Sequence, residues 1–322
     1  MKQTYLAQVR SMRGVATIAL ERFMLPTASL EFINHGENTT FRVRAGSRSF
    51  LLRIHREGYH SLPALKEELE WLKRLAAVEG LLTPVPVRGL DGYLTFAGSL
   101  WCDLLEWVPG TFLRKRISFP RIFQLGALAA TLQKHSDGQN CKHRRYWTAQ
   151  GLVGVSGKFG AIDSLWGVDR KEQSKISAGR RLVFERLRDF ERRFPARSGL
   201  IHADLHFGNF LVCGDQLGAI DFDDCGFGLH AYDLAVPLTQ LENMFVSDWG
   251  HFLAHYNVLQ EGYAKFGRWD SHDEAILPWL MTARRLVMLG WLQSRAGNPK
   301  LLKILPGAVD RAIEHMERFG VI

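Results

Sequence analysis

The sequence predicts an α+β chain in two parts: a small N-terminal part built on an antiparallel sheet, then a larger and mainly helical part. Three observations carry this. Between residues 30 and 55 the apolar positions recur with period two in short runs separated by turn residues. From Pro120 onward they recur mostly at helical spacing. Interrupting the helices, Leu200-Ile201-His202-Ala203-Asp204-Leu205-His206-Phe207-Gly208-Asn209-Phe210-Leu211-Val212 reads as an apolar entry, a polar loop and an apolar exit. A second apolar strand follows and ends in Ala219-Ile220-Asp221-Phe222-Asp223.

A chain of 322 residues, 46% hydrophobic and 23% charged, has enough apolar material for a substantial core. It holds no run of eighteen apolar residues, so no membrane span is expected. Met1-Lys2-Gln3-Thr4-Tyr5 has no apolar signal core before Arg10 and Arg13, which makes the expected location cytoplasmic. Cys102, Cys141, Cys213 and Cys225 are scattered, without a C-x-x-C pair or a histidine at zinc spacing, and read as buried thiols. The net charge of +8 is spread over Arg114-Lys115-Arg116, Lys142-His143-Arg144-Arg145, Arg180-Arg181, Arg192-Arg193 and Arg284-Arg285. These read as solvated helix faces, and no nucleic-acid motif accompanies them. Neither nucleic acid nor a membrane is expected as a partner, and the oligomeric state is left open.

Taken in order, Leu6, Val9, Met12, Val15, Ile18, Ala19 and Phe23 fall at a helical period over residues 4–23, which Pro26 ends. Residues 30–33, 39–44 and 48–55 follow as three antiparallel strands, with Ala45-Gly46-Ser47 as the second turn. Pro63 opens a helix to about residue 77, since proline fits a first turn. Pro84-Val85-Pro86-Val87 is extended, Asp91-Gly92 signals a hairpin turn before residues 93–96, and the run 100–107 leads into Val108-Pro109-Gly110. Ile122, Leu125, Ala129 and Leu132 make the stripe of a helix.

Residues 139–169 are irregular, with Tyr146, Trp147, Phe159 and Trp166 among Gly151, Gly154, Gly157, Gly160 and Gly167. Such an excursion reads either as part of a substrate pocket or lid, or as a surface loop packed by its own aromatics. Residues 170–194 return to helix on Ile176, Leu182, Val183, Leu187 and Phe190. After the hairpin, helices are expected over about 231–245, 248–267, 272–294 and 299–318.

Gly214-Asp215 supplies the turn of the hairpin, so Asn209 and Asp221 fall at the same end, with Asp204 on the loop just before. Two carboxylates and an amide oxygen are hard ligands that suit Mg²⁺ when phosphate oxygens complete its shell. Capping of turns by Asp and Asn is the competing explanation for either short motif alone.

His-x-Asp-Leu-x-x-x-Asn, from His202 to Asn209, with Ile220-Asp221-Phe222 after it, resembles the catalytic loop and metal-binding strand of protein kinases. The fuller His-x-Asp-Leu-His-x-Gly-Asn followed by Ile-Asp-Phe-Asp is more similar to the aminoglycoside phosphotransferase / choline kinase family, the small-molecule branch of kinase-like enzymes. The resemblance implies a two-lobe protein kinase-like fold. A nucleotide-binding lobe would span residues 1–106 and a catalytic and substrate-binding lobe 107–322, with a hinge at about 106–110 and ATP between the lobes. It implies ATP and Mg²⁺ as cofactors and transfer of the γ-phosphate to a hydroxyl of a small molecule. Asp204 is then the base that accepts the hydroxyl proton, and Asn209 and Asp221 are the metal ligands.

By the same resemblance, the turn His35-Gly36-Glu37-Asn38-Thr39-Thr40-Phe41, with Asn38 and Thr39 at its centre, covers the phosphates with backbone N–H groups, although an ordinary hairpin would look the same. Arg53 stands where the pattern has a lysine; it keeps the charge and can grip phosphate with two N–H groups at once. Glu68 is its acidic partner on the following helix, with Glu67 and Glu70 as neighbours. The Glu106 carbonyl and Val108 amide would meet the adenine edge. Asp233 matches the acid that braces the catalytic loop, with helix N-capping as the alternative. His206 stands where protein kinases have a lysine beside the transferred phosphate, a role that requires a raised pKa, and a structural role is expected for it and for His202.

Asp223 replaces the glycine of Asp-Phe-Gly, which favours a small-molecule acceptor: an aminoglycoside, an amino alcohol or a hydroxy amino acid. A protein Ser/Thr kinase is disfavoured by that missing glycine and by the lack of an Ala-Pro-Glu segment. A non-catalytic nucleotide-binding module is disfavoured because Asp204, Asn209 and Asp221 are all present. A cationic acceptor calls for a carboxylate-lined pocket, for which Asp103, Asp163, Asp169, Asp224 and Glu242 are candidates.

Overall fold

The structure, a computed structural model, describes residues 5–115, 117–136, 141–157, 159, 162–295 and 297–322. Met1, Lys2, Gln3, Thr4, Arg116, Gln139 and Gly160, which entered the sequence reading, lie outside the described residues. The elements run α1 (Tyr5–Arg22), β1 (Ser29–His35), β2 (Asn38–Ala45), β3 (Arg48–His55), α2 (Leu62–Ala76), β4 (Thr95–Ala97), β5 (Leu100–Glu106) and β6 (Thr111–Phe112). Then come α3 (Phe119–Lys134), β7 (Arg145–Trp147), α4 (Ala149–Val153), α5 (Arg170–Arg193), β8 (Ser198–Ile201), β9 (Phe210–Cys213), β10 (Gln216–Ala219) and β11 (Gly226–Leu229). The chain ends in α6 (Tyr232–Met244), α7 (Trp249–Ala264), α8 (Ser271–Ser294), α9 (Pro299–Leu302) and α10 (Leu305–Arg318). This is the α+β arrangement, an antiparallel sheet followed by a mainly helical part, that the sequence predicts.

Two compact units divide the chain. The first comprises Met1–Thr111, Gln139–His143 and Leu211–Ile220; the second comprises Phe112–Gly138, Arg144–Phe210 and Asp221–Ile322. In the first, five strands form a sheet in the order β1-β2-β3-β5-β4. Register places Phe41 opposite Leu52, Leu52 opposite Leu104 and Ile54 opposite Cys102. These buried side chains, with Val15, Ala16, Ala19, Leu20 and Phe23 of α1, make one continuous core. Because side chains alternate along a strand, Arg53 and its register partner Asp103 fall on the opposite face. Helix α2 starts at Ser61, whose hydroxyl accepts from the Ala64 amide, and carries Pro63 in its first turn. Strands β10, β9 and β6 form a small separate sheet. After β5 the chain turns at Gly110, where φ is +136° and a Cβ would lie 2.7 Å from the Val212 carbonyl oxygen, so only glycine fits.

In the second unit, α3 packs on α7, and α5, α6 and α10 pack around α8. A three-stranded sheet, β7-β11-β8, lies among them. Strand β11 runs parallel to β7 and antiparallel to β8, with Gly226 opposite Ile201. The chain leaving β8 and the chain entering β11 therefore meet at one end of this sheet, and the loop 202–209 and the turn 221–225 are built there.

Helix α8 is long and apolar enough to cross a membrane by length and composition, yet 67% of its apolar window is buried inside the protein, as in a core helix. The expected helix 299–318 is instead two, α9 and α10, because Pro306 fits a first turn but not a helix interior. The irregular stretch before α5 contains β7 and α4; Trp147 is buried, whereas Tyr146 and Trp166 are exposed. Of the four thiols, all free, only Cys102 and Cys225 are fully buried.

Candidate active site

The loop after β8 is anchored by buried Leu205 and Phe207, and the Phe207 amide donates to Gln240 Oε1 at 2.7 Å. Asn209 Nδ2 donates to the Asp204 carbonyl oxygen at 2.9 Å and faces Asp204 Oδ2 at 3.4 Å. That arrangement fixes which end of the amide is nitrogen and turns Oδ1 away from Asp204. The His202 ring packs on Phe222, centroids 4.5 Å apart, and the Asp204 amide points at His202 Nδ1 at 3.4 Å. His202 is thus a prop of the loop, as expected.

Two non-glycine residues flank the site in the left-handed region: Ala203 at φ +68° and Asp221 at φ +65°. Such a conformation disfavours a Cβ and persists only where neighbours hold it. For Ala203 the holder is Asp233, buried at the start of α6: Oδ1 accepts from the Ala203 amide at 2.8 Å, and Oδ2 accepts from the His202 amide at 3.1 Å and from Gln133 Nε2 at 3.0 Å. The geometry is that of a brace, and the cap position of α6 belongs to Ala231. Burial pushes the Asp233 carboxyl up from its usual range, against the pull of His202, Gln133 and the two amides. Asp233→Ala orphans buried N–H donors. It is expected to cost about 3 kcal/mol in urea unfolding, together with reduced turnover; unchanged stability would remove the brace.

The turn before β11 has its own holders. Arg144, only 3% exposed, donates to the carbonyl oxygens of Cys225 (2.8 Å), Phe222 (3.4 Å) and Asp223. Trp147 Nε1 donates to the Asp224 carbonyl at 2.7 Å. Arg144 therefore corrects the reading of its basic cluster as a solvated face. Asp223 is buried and Asp221 is exposed.

Arg284 makes the larger correction. It sits on α8 with its side chain 12% exposed, and Nη2 donates to Asp204 Oδ1 at 2.7 Å. Burial opposes its charge, but Asp204 first and Tyr232 next more than compensate, so its pKa is raised. Tyr232, beside it, is pushed up to about 12 by burial. The next residue, Arg285, turns to Glu242 at 2.6 Å and Asn243 at 3.0 Å. Neither arginine lies on a solvated face. The available signal was two charges inside an otherwise apolar helical stretch, Met281 to Trp291, because a buried charge must have a partner.

His206 Nε2 stands 3.5 Å from Asp204 Oδ2, and its Nδ1 accepts from the Gly208 amide at 2.9 Å. Burial pushes its pKa down, Arg284 and His202 add to that, and Asp204 opposes it. Because Nδ1 accepts from Gly208, the neutral ring carries its proton on Nε2. The raised pKa that a phosphate-facing cation would need is not found.

In the first unit, Arg53 is 3% exposed and its Nη1 donates to Glu68 Oε1 at 2.7 Å. Nε and Nη2 pair with both oxygens of Asp103, at 2.8 and 2.7 Å, and His55 Nε2 joins Asp103 Oδ2 at 2.8 Å. The bidentate grip open to phosphate in the sequence reading is thus taken by Asp103. Burial raises the Asp103 carboxyl, but Arg53 and then His55 bring it down to about 2. The three acids of α2 separate cleanly: Glu68 holds Arg53, Glu67 accepts from the His143 amide and ring, and Glu70 pairs with Lys73. Asn38 and Thr39 open β2, with the Thr39 hydroxyl 2.7 Å from His35 Nδ1. Glu106 ends β5 and pairs with Arg48 at 2.9 Å; Val108 follows, half-buried.

The carboxylates nominated for a cationic acceptor are committed elsewhere. Asp103 lies in the sheet as described, and Glu242 is held by Arg285 and by His315 at 2.8 Å. Asp163 pairs with Arg180 at 2.8 Å, Asp169 caps α5, and Asp224 lies 3.9 Å from Arg145. For a divalent ion, the Asn209 amide oxygen, on the end of the amide away from Asp204, and the exposed Asp221 carboxylate are hard donors that fit Mg²⁺ held largely by phosphate and water.

The sequence model of a phosphotransferase enzyme family matches residues 29–274. A homoserine kinase of Mesorhizobium japonicum is 27% identical over 253 residues, 76% of this chain and 73% of its own. Among solved structures, a microcompartment-associated aminopropanol kinase superposes with a TM-score of 0.81 at 25% identity, covering 96% of this chain and 98% of that one. The amicoumacin kinase hAmiN, solved with AMP-PNP, Ca²⁺ and Ami, shares the fold with a TM-score of 0.70 at 18% identity, over 97% and 94% of the two chains.

Proposed function

The chain belongs to the phosphotransferase enzyme family, and on that premise we propose that it moves the γ-phosphate of ATP to a hydroxyl of a small molecule, with Asp204 as the base. The observation that carries this reading is the meeting of the loop 202–209 and the turn 221–225 at one end of the β8–β11 pair, since those two segments carry Asp204, Asn209 and Asp221. The relatives named for homoserine, aminopropanol and amicoumacin support a small-molecule acceptor.

The acceptor hydroxyl donates a hydrogen bond to Asp204. As its oxygen bonds to the γ-phosphorus and the bond to the β,γ-bridging oxygen breaks, the proton passes to the carboxylate. Oδ1 is held by Arg284 at 2.7 Å, whereas among the described residues Oδ2 has the longer contacts to Asn209 and His206, so Oδ2 is the oxygen assigned to the proton. Asn209 through Oδ1 and Asp221 through its carboxylate would hold Mg²⁺, which neutralises and orients the phosphate oxygens when bound. The residues assigned to the nucleotide itself, Asn38, Thr39, Arg53, Glu68, Glu106 and Val108, all lie in the first unit. With its bidentate edge on Asp103, Arg53 contributes charge rather than a two-point grip.

Acceptor-dependent release of ADP that requires Mg²⁺ tests this reading. In Asp221→Ala, titration calorimetry should show the Mg²⁺-dependent part of ATP binding weakened at least about 10-fold. An unchanged Mg²⁺ dependence would take Asp221 out of the metal site.

A further inference from the structure

Resting on the phosphotransfer reading, we propose that the acceptor is a small hydroxy acid whose carboxylate is bound by the guanidinium of Arg284 while its hydroxyl lies on Asp204. Arg285, one residue along, shows what a purely structural arginine of this helix looks like: it is met by Glu242 and Asn243, and Glu242 is itself tied to His315. Arg284 instead rests on one oxygen of the carboxylate that phosphotransfer needs for the substrate. A guanidinium carries five N–H donors in a planar fork that matches a carboxylate. Among the described residues its one ion-pair partner, Asp204 Oδ1, is met through Nη2, and its other neighbour is the hydroxyl of Tyr232. A buried cation so lightly matched is best completed by an anionic group of the ligand.

Charge around the loop points the same way. Asp204 and Arg284 form a neutral pair. The carboxylates that might draw a polyamine are paired with arginines or spent on a helix cap. A polycation brought to Asp204 meets the buried positive charge of Arg284, which repels it. A hydroxy acid adds the negative charge that Arg284 lacks and leaves Oδ2 of Asp204 for its hydroxyl.

The test compares acceptors that differ only by the carboxylate: serine against ethanolamine, and homoserine against 3-aminopropanol, with an aminoglycoside alongside. For the wild-type enzyme, kcat/KM is expected to favour the carboxylate member of at least one pair by about 100-fold or more, the discrimination of a site built to bond a missing group. In Arg284→Gln that ratio should fall at least about 10-fold, and Arg284→Lys should restore part of it. Wild-type preference for the decarboxylated members or the aminoglycoside overturns the proposal without reference to any variant. So does an equal loss on both members of a pair in Arg284→Gln, which would make Arg284 only a positioner of Asp204. No ADP release with any acceptor, while MgATP still binds, would instead remove the phosphotransfer reading on which the proposal rests.

Discussion

Asp204→Ala is expected to lower kcat by about 10³-fold, the usual worth of a positioned base, while MgATP binding persists because Asn209 and Asp221 remain. The substitution also strips Arg284 of its partner, so Asp204→Asn is the sharper variant. Asparagine keeps an oxygen for Arg284 and the shape of the loop, yet cannot take the proton. Both variants should fall alike in kcat with little change in KM for ATP, read by steady-state kinetics beside calorimetric ATP binding. An Asp204→Asn enzyme near wild-type turnover would show that the carboxylate is not the base.

Asp103→Ala is expected to destabilise the protein by about 3–5 kcal/mol in urea unfolding at pH 7, because removing one partner leaves Arg53 buried with its fork unmatched. The exposed pair Arg44–Glu31 is the contrast, and Arg44→Ala should cost under about 1 kcal/mol. The sign of the pH dependence follows from the depressed carboxyl of Asp103, about 2, below the ordinary aspartate value of about 3.9. Its contribution is fully present above about pH 4 and is lost as pH falls through about 2. Wild-type and Asp103→Ala stabilities should therefore converge on acidification. An equal gap at pH 7 and pH 2.5 would mean that the loss came from packing rather than from the ion pair.

How much of this was legible depended on whether the signal was local. Strand β2 alternates buried and half-buried positions over most of its length, and the period-two runs on either side of it made the sheet legible from sequence. The loop 202–209 and Asp221 stood out because their spacing is short and their residue types are unusual together. Asp103 could not be recognised as Arg53's partner, because the pairing depends on the register of strands some fifty residues apart. Arg284 lies eighty residues beyond Asp204, on a helix whose period shows which face is apolar but not what a charge on it meets. Arg144 was lost for the opposite reason: its basic neighbours made an ordinary surface cluster, and the carbonyl oxygens it holds leave no trace in sequence. The break between α9 and α10 was readable from Pro306, which stands in the first turn of α10.

The most direct test of the central claim is phosphorus NMR of the wild-type enzyme with MgATP and a mixture of small hydroxy acids, amino alcohols and aminoglycosides, with Asp204→Asn as the blank. Transfer to a hydroxyl predicts a new phosphomonoester resonance that grows as the γ-phosphate of ATP disappears, and is absent from the blank. Inorganic phosphate alone, or the same phosphomonoester at the same rate from Asp204→Asn, would contradict it.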